Sequence, residues 1–351
     1  MNPTALIYGA TGYTGRLIAE MAVAGGMQPV LAGRNQAGVE ALAAKLGLSS
    51  RSFALDDETT IRTGLDGISV VLHCAGPFSR TSEPMASACL ASGVHYLDIT
   101  GEISVFESLA ARDSVARAAG VMLLPGVGFD VVPSDCLAAH LARRLPGARR
   151  LLLGIQGSGR LSHGTQTTVI ENQDRGGMIR RAGVLTPVPA AWRSRSIDFG
   201  RGPRLAVTIP WGDVATAWHS TGIPDIEVYA QVPPALRLGM IASRHLGWLL
   251  RRRWVREFQL RRVKAGPAGP SPAELASGHC AVWGRVEHAD GRHAESRLQG
   301  PNGYQLTALA ALAAVRKVLG GGAPPGFQTP SRAYGPDFVL QLDGITREDI
   351  S

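Results

Sequence analysis

Cysteine is scarce in this chain, and no motif for a metal site or a disulfide framework accompanies it. The four cysteines, Cys74, Cys89, Cys136 and Cys280, show no C-x-x-C or other metal-ligand spacing. Each lies in an apolar or strand-like context, so we expect reduced core thiols in a cytosolic protein and no bound metal. A P-loop, a Ser-His-Asp order and a paired-carboxylate motif are not evident either.

Long apolar runs are absent as well, and we expect no secretory leader. No run approaches the ~18–20 apolar residues that span a bilayer, and the N-terminus enters a predicted strand almost at once. We therefore expect a cytoplasmic protein. Only 18% of the 351 residues are charged and 45% are hydrophobic, which suits a sizeable core and two domains.

Acidic residues are nearly absent from residues 236–264, which hold nine Arg and Lys residues against one Glu. This segment accounts for the whole net charge of +8, so we expect no nucleic-acid partner. Its apolar residues recur at i+4 spacing with arginines around them: Leu246, Leu250, Trp254 and Phe258, with Arg251, Arg252, Arg253 and Arg256. The pattern favours a helix that buries its stripe and solvates its arginines. The alternatives are a weak contact with an anionic membrane surface, which would make the protein membrane-peripheral, or a cover for a long acyl substrate.

A glycine-rich turn near the N-terminus is the main functional motif. Gly9, Gly12 and Gly15 follow a predicted strand and precede a predicted helix in a G-x-x-G-x-x-G spacing. Such a turn directs backbone N–H groups and the positive end of a helix dipole at one spot, which favours a pyrophosphate. We therefore predict a dinucleotide site with these contacts: Gly9, Thr11, Gly12, Tyr13, Thr14 and Gly15.

The residues after the second predicted strand indicate which dinucleotide binds. NAD-preferring sites usually place Asp or Glu there, whereas this chain has Gly33 and Arg34. A guanidinium pairs with a 2′-phosphate and stacks on adenine, so we predict NADP(H), with NAD(H) as the less favoured cofactor. The alternative is a solvated surface arginine. Asp56, which closes the third predicted strand, is a further predicted cofactor contact.

Strands and helices alternate at intervals of roughly 20–30 residues up to Asp135, which predicts an α/β fold. We expect an N-terminal Rossmann domain with a doubly wound parallel sheet over residues 1–135. Residues 136–300 carry Gly and Pro in their turns, which predicts an α+β substrate and dimerisation domain with a mostly antiparallel sheet. Within it we predict a helix over 164–181. Residues 301–351 are predicted to be a C-terminal helix and tail that return to the domain junction.

Loops after the fourth to sixth predicted strands supply the candidate reaction site. Ligands sit outside the carboxyl ends of parallel strands, so one loop should lie beside the nicotinamide half of the cofactor: Ala75, Gly76, Pro77 and Phe78. Asp98 ends the fifth strand and is one candidate catalytic group. His219 is the other, because imidazole exchanges protons near neutral pH, although a lone histidine is more often structural. In the loop at 125–135, helix capping by Asp130, Ser134 or Asp135 is the competing interpretation.

Six segments resemble the saccharopine dehydrogenase-like oxidoreductases: residues 9–15, 31–34, 75–78, 95–102, 128–135 and 326–335. They are most similar to a bacterial branch that includes the mycobacterial trans-acting enoyl reductases. The resemblance implies a Rossmann domain that binds NAD(P)H, a second domain that closes the active site, and hydride transfer to a C=N or C=C bond. It does not identify the substrate, because no aminoadipate-binding arginine set can be matched within residues 150–300.

We therefore predict an NADP(H)-dependent oxidoreductase, active as a homodimer on a small acyl or imine compound. One alternative is a non-catalytic NADP(H)-binding sensor, since no obvious proton-donor triad is present. The other is a membrane-peripheral enoyl reductase that acts on lipid-linked acyl chains.

Overall fold

The computed structural model describes residues 3–157, 159–173, 176–250 and 252–351. These residues form two compact units. The first unit is the chain up to Val132 together with Tyr304–Ala333, and the second unit is Pro133–Gly303 with Tyr334–Ser351. The chain thus returns to the first unit after completing most of the second.

The secondary structure alternates regularly in the N-terminal part and irregularly afterwards. The strands are β1 (Ala5–Tyr8), β2 (Val30–Gly33), β3 (Ser50–Ser52), β4 (Val70–His73), β5 (His95–Asp98), β6 (Met122–Leu124), β7 (Arg150–Gly157), β8 (Gly177–Arg181), β9 (Val184–Val188), β10 (Ser194–Asp198), β11 (Pro203–Thr208), β12 (Asp225–Gln231), β13 (His279–Glu287), β14 (His293–Pro301), β15 (Gly326–Phe327) and β16 (Thr346–Asp349). The helices are α1 (Tyr13–Ala24), α2 (Gln36–Leu46), α3 (Glu58–Gly64), α4 (Phe78–Ser92), α5 (Ile103–Ala110), α6 (Asp113–Ala118), α7 (Val132–Arg144), α8 (His163–Asn172), α9 (Asp213–Thr221), α10 (Pro234–Leu250), α11 (Arg253–Ala265), α12 (Pro272–Ser277), α13 (Gly303–Leu319) and α14 (Pro330–Tyr334). A short 3-10 helix covers Phe338–Gln341.

The first unit is built on a seven-stranded parallel sheet in the order β15-β6-β5-β4-β1-β2-β3. Strands β1, β2 and β4 are buried along their whole length, as expected for short apolar runs covered on both faces. This confirms the predicted Rossmann-like doubly wound sheet. The outermost strand β15 comes from the C-terminal part of the chain and pairs in parallel with β6.

Local sequence explains where the helices of the first unit begin and end. Asn35 and Asp57 cap α2 and α3, each accepting a hydrogen bond from a backbone N–H three residues later. Gly47 and Gly93 end α2 and α4 in the left-handed region, which glycine adopts without strain. The caps Asn35 and Asp57 therefore fix the loops that follow the carboxyl ends of β2 and β3.

The second unit contains a mixed sheet with the order β10-β11-β12-β7-β13-β14-β16, to which β8 and β9 add beside β12. Neighbouring strands are antiparallel except for the pair β12 and β7. The predicted mostly antiparallel sheet is therefore confirmed. The predicted hairpin is present as β13 and β14, which turn at Asp290 and Gly291.

The predicted helix over 164–181 is wrong. Helix α8 ends at Asn172, and Gly177 already begins strand β8, which pairs with β9. Gly176, directly before β8, has a φ of +76°, a left-handed conformation that glycine adopts without strain and that a continuous helix does not contain. The polar and β-branched residues of this segment therefore divide between two elements.

The predicted burial of the apolar stripe at 246–258 is also wrong. The segment forms two helices, α10 and α11, and the side chains of Leu246, Trp254 and Phe258 are 43%, 67% and 57% exposed. Leu250 is partly buried, and Arg251 lies outside the described residues. Within the described chain, no helix is both long and apolar enough to cross a bilayer.

Candidate cofactor and reaction site

The glycine turn is held so tightly that side chains would not fit at two of its positions. Gly9 has a φ of +82°, and a Cβ there would lie 2.8 Å from the backbone nitrogen of Ala75. A Cβ on Gly15 would lie 2.4 Å from the carbonyl oxygen of Gly9. Gly12 is exposed, and its N–H donates to the same carbonyl at 3.0 Å. Strand β1 and helix α1 therefore approach each other as a dinucleotide turn requires.

Helix α1 begins at Tyr13 with no side-chain cap and no acidic residue in its first turn. The positive end of its dipole is therefore not neutralised by a carboxylate of its own first turn. Thr11, Tyr13 and Thr14 are partly buried beside the exposed Gly12. The residues present fit a bound pyrophosphate, since a helix N-terminus of this kind binds anions through its backbone N–H groups.

Arg34 is exposed directly after β2, next to the capping residue Asn35. It lies close enough to Tyr8 at the end of β1 for its charge to act on that hydroxyl, as does the exposed Asp56. Burial raises the pKa of Tyr8 to about 12, while Arg34 acts to lower it and Asp56 to raise it. The ends of β1 and β2 and the loop after β3 thus bring the two predicted contacts Arg34 and Asp56 to one region.

A carboxylate binds the backbone at the end of the loop that follows β4. Glu102 accepts hydrogen bonds from the backbone N–H groups of Phe78 and Ser79, at 2.7 and 3.1 Å. It therefore caps α4, even though it lies 24 residues away in sequence. The Thr81 hydroxyl lies 2.7 Å from the Ala75 carbonyl oxygen and donates to it. Of the two helices, α4 has a carboxylate at its start and α1 has neither a cap nor an acid there, so α1 is the one suited to an anion.

Asp98 is completely buried, and three groups donate hydrogen bonds to it. The backbone N–H groups of Thr100 and Gly126 lie 3.0 and 2.9 Å from Oδ1, and the Tyr96 hydroxyl lies 2.8 Å from Oδ2. Burial raises the pKa of Asp98 to about 6, against the lowering effect of these hydrogen bonds. Asp98 links the loops after β5 and β6, which is a positioning role. A direct catalytic role stays a prediction.

His73 is a buried neutral imidazole next to the 75–78 loop, and no sequence pattern indicates a functional role for it. Its Nε2 lies 3.0 Å from the Thr81 hydroxyl, and its Nδ1 has no hydrogen-bond partner among the described residues. The ring packs against those of Tyr8, Phe78 and Tyr96. Burial lowers the pKa of His73 to about 3, so it carries no charge at neutral pH.

Helix α13 reaches the same region from the far end of the chain. The Tyr304 ring meets the Tyr13 ring edge to face, with 5.2 Å between centroids. The Thr307 hydroxyl accepts a hydrogen bond from the Phe129 N–H at 3.0 Å. These contacts are not detectable from sequence, because an Ala- and Leu-rich helix does not reveal which sheet it covers.

Asp130 follows β6 on the same carboxyl edge of the sheet. It is partly buried, and a Cβ on Gly101 would lie 2.8 Å from one of its carboxylate oxygens. Burial raises the pKa of Asp130 to about 6. Helix α7 begins at Val132, so the suggested caps Ser134 and Asp135 lie within its first turn and do not precede it.

His219, the other predicted catalytic residue, belongs to α9 of the second unit and is partly buried. Its neighbour Ser220 donates a hydrogen bond to the carboxylate of Asp135, which ties α9 to α7. Across the ranges that the structure describes, no cluster of three or more His, Cys, Asp or Glu residues is suited to a metal ion.

Comparisons with known proteins agree with this geometry. Residues 5–124 match the family model described as the saccharopine dehydrogenase NADP binding domain. The trans-acting enoyl reductase of Mycobacterium leprae is 32% identical over 148 residues, which are 40% of this chain and 35% of that protein. The trans-acting enoyl reductase of Mycobacterium tuberculosis H37Rv is 31% identical over 147 residues, again 40% of this chain and 35% of that protein.

A solved structure extends the likeness to the whole chain at the level of the fold. The apo saccharopine dehydrogenase (L-Glu forming) of Saccharomyces cerevisiae aligns with a TM-score of 0.64, covering 99% of this chain and 100% of that one. At 13% identity this match concerns the fold alone. The matched stretch spans about a third of the length of the curated relatives.

The fold and the site define a class, the proteins with an NADP-binding Rossmann domain and a second α+β unit. Within that class, the resemblance to saccharopine dehydrogenase-like oxidoreductases is confirmed. Residues 5–124 match the model of the saccharopine dehydrogenase NADP binding domain, and this match supports NADP(H) as the cofactor.

Proposed function

We propose that this protein is an NADP(H)-dependent oxidoreductase that transfers a hydride to a C=N or C=C bond of a small acyl or imine compound. The observation that carries the proposal is the glycine turn at α1, whose helix start has no cap and no acid, together with the exposed Arg34 after β2. The bound cofactor supplies the hydride. Gly9, Gly12 and Gly15 hold its pyrophosphate, and Arg34 pairs with the 2′-phosphate.

The remaining residues of the site have positioning roles in this proposal. The loop Ala75 to Phe78 borders the nicotinamide half, and Glu102 keeps that loop in place through its bonds to the start of α4. Thr11, Tyr13, Thr14 and Asp56 complete the cofactor contacts. Asp98 and His219 are the proposed proton-transfer groups.

Cofactor binding and turnover test different parts of the proposal. We expect NADPH to bind more tightly than NADH, and Arg34→Ala to remove that preference. Equal or tighter NADH binding that Arg34→Ala leaves unchanged would contradict the cofactor assignment. Turnover is measured on a panel of imines and enoyl compounds, and NADPH binding without any turnover would favour the sensor module.

A second candidate function is a membrane-peripheral enoyl reductase that acts on lipid-linked acyl chains. The exposed side chains of Trp248, Trp254 and Phe258 favour it, because a soluble substrate gives no reason to expose them. The relatives named trans-acting enoyl reductases agree with this chemistry. The test compares NADPH oxidation with a short soluble enoyl substrate and with a long-chain enoyl substrate presented in vesicles. Equal or faster turnover of the short one would exclude it.

We also propose a homodimer with a cytoplasmic location. Light scattering coupled to size-exclusion chromatography measures the first, and a monomer at all concentrations would contradict it. Fractionation of the producing cells measures the second.

A further inference from the structure

Large apolar side chains of α10 and α11 are exposed to solvent. Among the residues that the structure describes, every exposed large aromatic side chain lies on these two helices. The exposed set is Leu236 (51%), Leu238 (68%), Leu246 (43%), Trp248 (62%), Trp254 (67%) and Phe258 (57%). Helix α11 has no buried residue at all. Monomeric proteins rarely expose so many large apolar groups together unless they bind something.

Specific contacts hold both helices on the second unit. Gln259 of α11 exchanges side-chain hydrogen bonds with Gln173, at 2.7 and 3.2 Å. Arg256 donates to the Glu171 carbonyl at 3.1 Å. In α10, Arg244 donates to the backbone carbonyl groups of Ala190 and Ala191, at 2.8 and 2.7 Å. The sides of the helices that carry Arg244, Arg256 and Gln259 are therefore attached, and Trp248, four residues after Arg244, lies on the attached side of α10. The large apolar groups away from these contacts stay exposed: Leu238, Leu246, Trp254 and Phe258.

The exposed apolar groups are spaced as amphipathic helices require. Leu238, Ala242 and Leu246 form an exposed i, i+4, i+8 stripe on α10. Trp254 and Phe258 stand one turn apart on α11, and both are exposed. Exposed cations adjoin this second pair, with the Arg262 guanidinium 5.9 Å from the centre of the Phe258 ring. Aromatic and leucine side chains beside arginines are typical of helices that lie in a membrane interface.

The positive charge of α10 and α11 indicates which partner this surface binds. Residues 236–264 carry nine basic residues and one acidic residue, Glu257, whose carboxylate is already paired with Arg253 at 2.7 Å. In a symmetric dimer through this surface, the cations of one copy would face those of the other, which is repulsive. An anionic bilayer offers phosphate groups to the cations and acyl chains to the apolar groups at once.

We propose that α10 and α11 form a docking surface for anionic lipid bilayers. Leu238, Leu246, Trp254 and Phe258 enter the boundary between headgroups and acyl chains, and the surrounding arginines bind lipid phosphates. The surface binds the bilayer from one side, and it holds the protein at the membrane by many weak contacts. This proposal stands apart from the reaction, so it does not depend on which bond is reduced.

Co-sedimentation of the full-length protein with vesicles tests the proposal. The vesicles are phosphatidylcholine with or without phosphatidylglycerol, at low and at high salt. We expect binding only to vesicles with phosphatidylglycerol, and loss of most of that binding at high salt. Blue-shifted tryptophan emission with these vesicles, absent in the variant Trp254→Phe, would place the exposed Trp254 ring in the membrane.

Two variants separate the charge from the apolar contribution. Arg252→Gln, Arg261→Gln and Lys264→Gln together remove three exposed cations with no hydrogen bond to another element among those described. We expect vesicle affinity to fall about fivefold for each cation, or roughly a hundredfold in total. Trp254→Ala with Phe258→Ala should weaken binding at least roughly tenfold without changing the melting temperature, because both side chains are mostly exposed.

The matched control removes the same number of charges elsewhere: Arg62→Gln, Arg201→Gln and Arg204→Gln, all exposed and outside the two helices. We expect it to keep nearly all vesicle binding. Absence of binding to anionic vesicles at low salt would overturn the proposal, as would an equal loss in the control. Dissociation of a dimer by Trp254→Ala with Phe258→Ala would also overturn it, because the surface would then contact a second copy.

Discussion

The contact between α1 and the glycine turn gives the sharpest prediction, through the substitution Gly15→Ala. The added Cβ would lie 2.4 Å from the Gly9 carbonyl oxygen and 3.0 Å from the Ala10 Cα. Both are backbone atoms, so no side-chain rotation relieves the overlap. Overpacking of this kind costs ~1–3 kcal/mol, and a backbone clash favours the upper end. Alanine gains up to ~1 kcal/mol over glycine in a helix, which leaves a net loss of about 2 kcal/mol.

Two measurements on purified protein test this magnitude. A loss of about 2 kcal/mol lowers the melting temperature by roughly 4–8 °C for a unit of this size. Titration with NADPH, monitored by nucleotide fluorescence, should show a larger dissociation constant for Gly15→Ala, because the turn that binds the pyrophosphate is displaced. Gly239→Ala on α10 is the matched control. No atom lies within 4 Å of its added Cβ, so we expect its melting temperature to stay unchanged or rise slightly.

Two outcomes would refute the reasoning in different ways. If Gly15→Ala keeps the melting temperature of the wild type, as Gly239→Ala does, then α1 does not approach the turn as closely as described. If Gly15→Ala loses stability but NADPH still raises its melting temperature as much as in the wild type, the turn is a packing feature. The cofactor then binds elsewhere, since a ligand stabilises in proportion to its affinity for the folded state.

Three further predictions concern single side chains. Arg34→Ala should raise the NADPH dissociation constant at least roughly tenfold and leave that of NADH unchanged in the same titration, since a hydrogen bond to a charged group contributes ~1.5–3 kcal/mol. Burial raises the pKa of Asp98 to about 6, so this group's stabilising contribution is complete below about pH 4 and is lost as the pH rises through 6. In urea unfolding, the free energy of unfolding should therefore decrease from pH 4 to pH 7 by about 2–3 kcal/mol more in the wild type than in Asp98→Asn. Equal decreases would contradict a raised pKa for Asp98. Tyr304→Ala should lower the melting temperature through loss of an edge-to-face pair that contributes ~0.5–1.5 kcal/mol, whereas Tyr304→Phe should keep the ring contact with Tyr13.

The first sheet was predictable because its strands are short apolar runs separated by helices of ordinary length. Strands β1, β2 and β4 are buried on both faces, and such strands have the most distinctive sequence pattern. Strand β15 was not predictable, since it has only two residues, Gly326 and Phe327. Its place is set by pairing with β6 and by a hydrogen bond from the Phe327 N–H to the Asp113 carboxylate at 2.8 Å. A two-residue strand has no periodicity to detect.

The candidate site also contains some residues that could be predicted from the sequence and others that could not. Gly9, Gly12, Gly15 and Arg34 could be proposed from sequence because each has a local requirement: room for a backbone, a helix start, or a charge at a strand end. The cap that Glu102 places on α4 joins residues of different loops. His73 was missed because its neutral state results from burial under tertiary contacts, which a strand pattern does not reveal.

The distribution of charge along the carboxyl edge of the sheet favours one orientation of the cofactor. At the β1 and β2 side, α1 begins without a carboxylate and Arg34 is exposed, so phosphate groups are favoured there. At the β5 and β6 side lie Asp98, Glu102 and Asp130, which would repel a phosphate when ionised. We therefore expect the 2′-phosphate and the pyrophosphate on the first side, and the nicotinamide, which is neutral in NADPH and cationic in NADP⁺, on the second. Because burial raises the pKa of Asp98 and that of Asp130 to about 6, both carboxyl groups exchange protons closer to neutral pH than an ordinary aspartate does.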